Sequence, residues 1–144
     1  MTSVGTKAMI RVDFKQLRHD EDGRMLLGGH FFTGIAVEYW RGGAIASEMS
    51  YQDGIEDGLS RGWHDNGVRS WVTPYRKGCV AGMMQEWHRN GQLALQEEID
   101  HGVALWRRRW NENGDMVEDY NYVNSPHYAW LENHRNIGRD RADP

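Results

Sequence analysis

The sequence predicts an all-β fold in which tandem antiparallel β-hairpins form an elongated twisted sheet, closed by a short C-terminal helix. Three observations carry that expectation. Glycines recur eleven residues apart, from Gly23 to Gly34, Gly43 to Gly54, Gly67 to Gly78 and Gly91 to Gly102. An aromatic residue stands four positions ahead of each later leading glycine: Tyr39, Trp63, Trp87 and Trp110 are spaced 24, 24 and 23 residues apart, as are Gly43, Gly67, Gly91 and Gly114. No segment before Ser125 shows a sustained helical period of apolar residues, and proline is confined to Pro74, Pro126 and Pro144. A period between roughly 20 and 50 residues signals a stacked array whose units bury their apolar faces on one another.

Residues 1–22 are read as an N-terminal cap. In it, Ile10 to Phe14 alternates apolar and polar side chains, which predicts a first strand covering the first copy. Residues 23–122 hold four to five hairpin copies, each with two turns. The leading turns are Asp22-Gly23, Gly42-Gly43, Asn66-Gly67, Asn90-Gly91 and Asn113-Gly114. Asn-Gly between alternating segments predicts a type I′ turn, which needs positive φ at both central residues. The second turns are placed at Thr33-Gly34, Asp53-Gly54, Lys77-Gly78 and His101-Gly102. The link from Gly34 to Gly43 is nine residues against thirteen from Gly54 to Gly67, so the first copy is atypical.

Counted from each leading glycine, the second and eighth positions are usually apolar: Met25 and Phe31, Ile45 and Tyr51, Leu93 and Ile99, Met116 and Tyr122. Their even separation predicts one shared strand face. Because an isolated hairpin is marginal in water, the core is expected to come from stacking, with Tyr39, Trp63, Trp87 and Trp110 packed copy on copy. Residues 123–144 are read as a C-terminal cap. Ser125-Pro126 has the residue types of a helix start, His127 to Asn133 the length of a short helix, and Trp130 and Leu131 would close the core. The charged stretch Arg139 to Pro144 is expected to fray.

Composition narrows the function. The net charge of −4 argues against a dedicated nucleic-acid binder, which carries a basic surplus, and suits a basic protein partner. The single Cys79 allows no intramolecular disulfide and no multi-cysteine zinc site. No apolar run reaches the roughly 18 residues of a membrane span. These features predict a cytoplasmic protein without a membrane partner, cofactor or metal. With mean hydropathy at −0.79, seven Trp and six Tyr must supply much of the buried area.

The repeat resembles the variant form of the MORN repeat: an aromatic, three residues, Gly, an apolar residue, often Glu, an aromatic, then Gly. Gly43, Ile45, Glu48, Tyr51, Gly54 and Gly58 match that pattern nearly position for position, and the resemblance covers about Gly23 to Tyr122. Bacterial proteins made largely of such repeats are similar to a group labelled antitoxins or immunity proteins. The resemblance therefore implies a non-enzymatic protein that binds and neutralises a cognate toxin through one face of the array. The wider repeat class is also associated with scaffolding and membrane-lipid binding, which keeps an adaptor role as the alternative.

Departures from the repeat mark candidate partner-binding residues, because the regular copies already meet the structural need. In the third copy, Arg69 stands at the apolar second position, Trp71 where other copies have Leu27, Ser47, Leu95 and Glu118, and Pro74 just ahead of Tyr75. Arg69, Trp71 and Tyr75 form a contact patch on one reading. On the other, Trp71 fills core space that Arg69 cannot, and Pro74 protects a strand edge. Trp40, His64 and His88 each follow a column aromatic and form a possible exposed ladder, without the carboxylate or cysteine companions of a metal site. In Trp106-Arg107-Arg108-Arg109-Trp110, alternation predicts Arg107 and Arg109 on one face and Arg108 with the two Trp on the other. Glu38, Glu48, Glu86, Glu97, Glu98, Asp100 and Glu118 would present acidic charge to a cationic toxin. No phosphate-cradling loop, nucleophile elbow or selected carboxylate pair points to catalysis.

Overall fold

A computed structural model describes residues 9–140, and for 136–140 the backbone alone. Residues 1–8 of the expected N-terminal cap and 141–144 of the expected frayed tail lie outside the described residues. The chain forms β1 (Arg11–Asp13), a 3₁₀ turn (Phe14–Gln16), β2 (Arg18–His19), β3 (Met25–Leu27), β4 (His30–Phe31), β5 (Gly34–Tyr39), β6 (Ile45–Gln52) and β7 (Ile55–Glu56). Then come β8 (Gly58–Trp63), β9 (Arg69–Arg76), β10 (Cys79–Val80), β11 (Gly82–Trp87), β12 (Leu93–Asp100), β13 (Val103–Trp110), β14 (Met116–Asn121) and α1 (Pro126–Asp140).

Eleven strands make one sheet along the path β1-β5-β6-β8-β9-β11-β12-β13-β14, with β7 on β6 and β10 on β9. Its neighbours are antiparallel except β1, which lies parallel to β5; it is shorter than the expected Ile10 to Phe14, because Phe14 begins the 3₁₀ turn, and it pairs with the main sheet and not with the first copy. The first copy leaves this sheet. Its strands β2, β3 and β4 form a separate three-stranded sheet. Thr33-Gly34 is correspondingly not a turn, since Gly34 opens β5 and the second turn of the first copy is Gly28-Gly29. Gly34 is required for another reason: a Cβ there would fall 2.4 Å from the Ile10 carbonyl oxygen.

The two turn classes exchange their expected geometries. In the leading turn, the Gly67 N–H donates to the His64 carbonyl (2.9 Å) and the His64 N–H to the Val68 carbonyl (2.8 Å). Only Gly67 has positive φ (83°), and the pattern recurs at Gly23, Gly43, Gly91 and Gly114. These are three-residue loops, a type I turn closed by a left-handed glycine, and the Asn66 side chain supports the turn by accepting from the Val68 N–H (3.1 Å). Positive φ at both central residues occurs instead in the second turns, Asp53-Gly54 (50°, 79°), Lys77-Gly78 (49°, 82°) and His101-Gly102 (48°, 75°), which are the type I′ turns.

A β-bulge sits at the same place in each main-sheet hairpin closed by a leading turn. Glu38 pairs Ser47 but Tyr39 pairs Ile45, which leaves Ala46 without a partner. The same shift leaves out Ser70, Ala94 and Val117. One extra residue reverses the facing of all that follow, so Ile45 and Tyr51 lie on opposite faces despite their even separation. The same holds for Leu93 with Ile99.

This bulge also overturns the expected aromatic core. Tyr51 belongs to the buried cluster of Leu17, Met25, Phe32 and Ala36, where the small sheet packs on the first main-sheet hairpin. Tyr39 lies on the other face and is 52% exposed, while Trp63, Trp87 and Trp110 are half-buried there. Phe31 is exposed and Phe32 takes its place inside. Between the ends, the inner face mixes polar side chains, among them the buried Ser60, Thr73 and Glu97, with Trp71 and the buried Leu95.

At the C-terminus, the Ser125 hydroxyl accepts from the Tyr128 N–H (3.1 Å) and caps α1 as its residue type predicts. The helix is longer than expected, taking in the backbone of Arg139 and Asp140. Leu131 is fully buried, but Trp130 is not a core residue: it is exposed and stacks on His134, with ring centroids 3.8 Å apart.

Candidate functional site

The bulges and turns of three consecutive copies frame an open groove of about 610 Å³ on the face that carries Tyr51. Trp71, Leu95, Glu86 and Arg109 line its floor, since Trp71 pairs Glu86 and Leu95 pairs Arg109 across the sheet. His64, His88 and the bulge residues Ser70, Ala94 and Val117 form its turn-side wall, where Trp87 and Trp110 present the carbonyls that meet His64 and His88 while their rings lie on the opposite face.

Trp71 owes its position to Gly62. The two pair across β8 and β9, and a Cβ on Gly62 would fall 2.2 Å from the indole Nε1 and 2.5 Å from Cε2. The ring therefore lies against a backbone that has no side chain. The other copies place Glu38, Glu86 and Arg109 at the Gly62 position, so the third copy exchanges a small and a large residue across one strand pair. Trp71 does not fill in for an apolar side chain at position 69. The Arg69 guanidinium lies on the other face, 5.5 Å from the centroid of the Trp87 ring.

Pro74 is not at a sheet edge, because β9 has β8 on one side and β10 and β11 on the other. Its carbonyl accepts from Ala81 (3.0 Å), the residue between β10 and β11, so the side on which proline lacks an N–H meets a break in the neighbouring strand. Pro74 also packs on Gly82, where an added Cβ would lie 3.2 Å from its Cγ.

The ladder residues join the copies. Trp40 Nε1 donates to the Trp63 carbonyl (3.1 Å), and Nε2 of His64 and of His88 lie 2.8 Å from the carbonyls of Trp87 and Trp110. A carbonyl only accepts, so both imidazoles carry their proton on Nε2. A second ladder runs beside it, from Asn66 Nδ2 to the Arg89 carbonyl (3.0 Å) and from Asn90 Nδ2 to the Glu112 carbonyl (2.8 Å).

Of the six candidate residues, Trp71, His64 and His88 thus converge on one groove. Trp40 lines a separate groove of about 600 Å³ with Phe14 and Tyr39, and Tyr75 a third of about 350 Å³ beside Asp100 and Arg135. Arg69 faces away. Sequence reasoning names Glu86 and Arg109 only as charges along the array and misses Gly62, which is detectable as a glycine where other copies carry a charge.

Most charges near the array are matched. Arg107 meets Glu97 (3.0 Å), Arg108 meets Asp119 (3.3 Å) and Arg109 meets Glu118 (3.5 Å). Strand alternation separates Arg107 and Arg109 from Arg108 as expected. Glu48 is held between Arg11 (2.5 Å) and Arg61 (3.0 Å); burial pushes its carboxyl up, and the two guanidinium groups outweigh this and hold it below its ordinary value. Burial raises Glu56, and burial with the Glu56 charge raises Tyr75. Tyr51 is pushed up to about 12 by burial first and then by the charges of Glu56, Tyr75 and Glu38.

Among the described residues, no group of three or more His, Cys, Asp or Glu is arranged to hold a metal ion, and no helix is long and apolar enough to cross a membrane. Comparison of the chain with protein-family models, curated proteins and solved structures yields no match.

Proposed function

We propose that this chain is a non-enzymatic binding protein of the antitoxin or immunity type, which acts in the cytoplasm by occluding a protein toxin through the grooved face of its array. The observation that carries the reading is the open groove lined by Trp71 together with Glu86 and Arg109. Tryptophan and arginine are the anchor types of protein interfaces, and the fixed charges on the groove floor supply register. A stable complex buries roughly 800 Å² per partner, so the contact is expected to extend from the groove along neighbouring copies.

The adaptor alternative has less support, because each arginine of the Arg107 to Arg109 run has a carboxylate partner. Sedimentation with anionic liposomes separates the two: the antitoxin reading expects the chain to stay in the supernatant. Co-expression with the product of the neighbouring gene tests the proposal itself. Rescue of growth and a recoverable complex are expected; neither appearing would count against it.

A further inference from the structure

We infer that the exposed edge of β14 is a second docking surface, which takes an extended basic strand of a partner protein as though it were the next hairpin. This deepens the protein-binding reading above and rests on it. At each joint between main-sheet hairpins, two residues of one copy take two residues of the next. Ser47 and Glu48 meet Gly62 and Arg61, Trp71 and Val72 meet Glu86 and Gln85, and Leu95 and Gln96 meet Arg109 and Arg108. In the last copy, the same two positions are Glu118 and Asp119.

The backbone there is set for a further strand. The Tyr122 N–H donates to the Leu105 carbonyl (2.9 Å), in register with the pairing of β13 and β14. Alternation then directs the N–H and C=O of Asp119 and Asn121 away from β13. The joint's side-chain donors are in place as well. Asn111 follows Trp40, His64 and His88 in the first ladder, and Asn113 follows Asn66 and Asn90 in the second, with no further copy behind them. Among the described residues, α1 packs mainly on β13 and pairs Arg135 with Asp100. Val117 remains 64% exposed and Tyr120 53%.

Charge selects the occupant. Asp119 stands where Glu48 stands; Glu48 holds Arg11 and, across its joint, Arg61 at 3.0 Å, whereas Asp119 holds Arg108 of its own hairpin at 3.3 Å and has its joint side open for a second guanidinium. A strand with arginine or lysine opposite Asp119 repeats that pair. A second copy of this chain does not, because a symmetric antiparallel pair of β14 edges through their outward groups sets Asp119 against the other copy's Asp119. An edge left bare in this way is a template for strand addition.

The test uses a labelled synthetic hairpin of residues 57–76, which carries Arg61, is cyclised head to tail because an open hairpin is marginal in water, and is checked for strand content by circular dichroism. It is titrated onto the full chain and followed by fluorescence anisotropy. Saturable binding is expected, with new hydrogen-exchange protection at Asp119 and Asn121. Asp119→Pro, which removes one outward N–H, should weaken binding about tenfold or more while the melting temperature holds. Asp119→Lys should lose the wild-type hairpin and regain binding to a hairpin carrying Arg61→Glu. Three results would overturn the inference: no saturable binding at about 1 mM hairpin, well above the weak-affinity range; equal affinity for Asp119→Pro; or a dimer of the chain alone that Asp119→Pro dissolves. Because no toxin is present, failure here leaves the co-expression result standing, and the converse also holds.

Discussion

Trp71 is the residue at which sequence and structure inform each other most. Its departure from the repeat was legible, because four other copies define what the fold requires at that position. Its cause was not, since Gly62 lies nine residues away and becomes a neighbour only through the β8–β9 register. The geometry makes a specific demand on this pair. Gly62→Ala should destabilise strongly in the native chain, where its Cβ meets the indole, and little when combined with Trp71→Ala. Chemical denaturation of the two single variants and the double should give a coupling above about 1 kcal/mol; additive effects would separate the residues. Trp71→Ala alone should cost about 2 kcal/mol, less than full burial would imply because the ring is half-exposed to the groove. His64→Ala and His88→Ala should each cost about 1 kcal/mol for an inter-copy hydrogen bond, read from the same denaturation curves.

At the scale of the element, the period revealed every main-sheet hairpin but neither its facing nor its turn class. A bulge residue has no signature of its own: Ala46, Ser70, Ala94 and Val117 read as ordinary strand positions. One such residue is enough to move the aromatic column off the core face. The turns misled for a related reason. Asn-Gly favours a type I′ turn when two residues close a hairpin, but here the loop has three, and only the glycine becomes left-handed. The actual type I′ turns hold Asp53, Lys77 and His101 at positive φ, a region that favours Gly and Asn and strains most other residues. Lys77→Asn should therefore raise stability by about 0.5 kcal/mol, with the N–H that donates to Asp57 retained. A lower melting temperature for Lys77→Asn would show that the lysine side chain has a role the turn does not explain.

For the whole molecule, the apolar core lies at the N-terminal end, and the remaining copies are held by ladders, ion pairs and half-buried rings. That distribution makes stability respond to pH at both extremes. Tyr51 has a folded pKa near 12 against an ordinary value of 10, so the unfolded chain ionises first and stability falls as pH rises from 10 to 12. The loss should approach about 2 kcal/mol and vanish in Tyr51→Phe, as thermal melts across that range would reveal. Glu48 works in the opposite direction. Its lowered carboxyl supports the fold above the ordinary 4.5, and that support is lost as pH falls through the folded value.

The grooved face could not be foreseen as a unit, because His64, Trp71, His88 and Arg109 span three copies and meet only after the bulges set their facing. What the face binds follows from no single residue, and the decisive measurement is the pairing of Trp71→Ala with the neighbouring gene product. Native chain co-expressed with that product should restore growth and co-purify with it, while Trp71→Ala, still folded by its melting curve, should do neither. Growth rescue and complex formation that survive Trp71→Ala undiminished would contradict the grooved face as the binding surface.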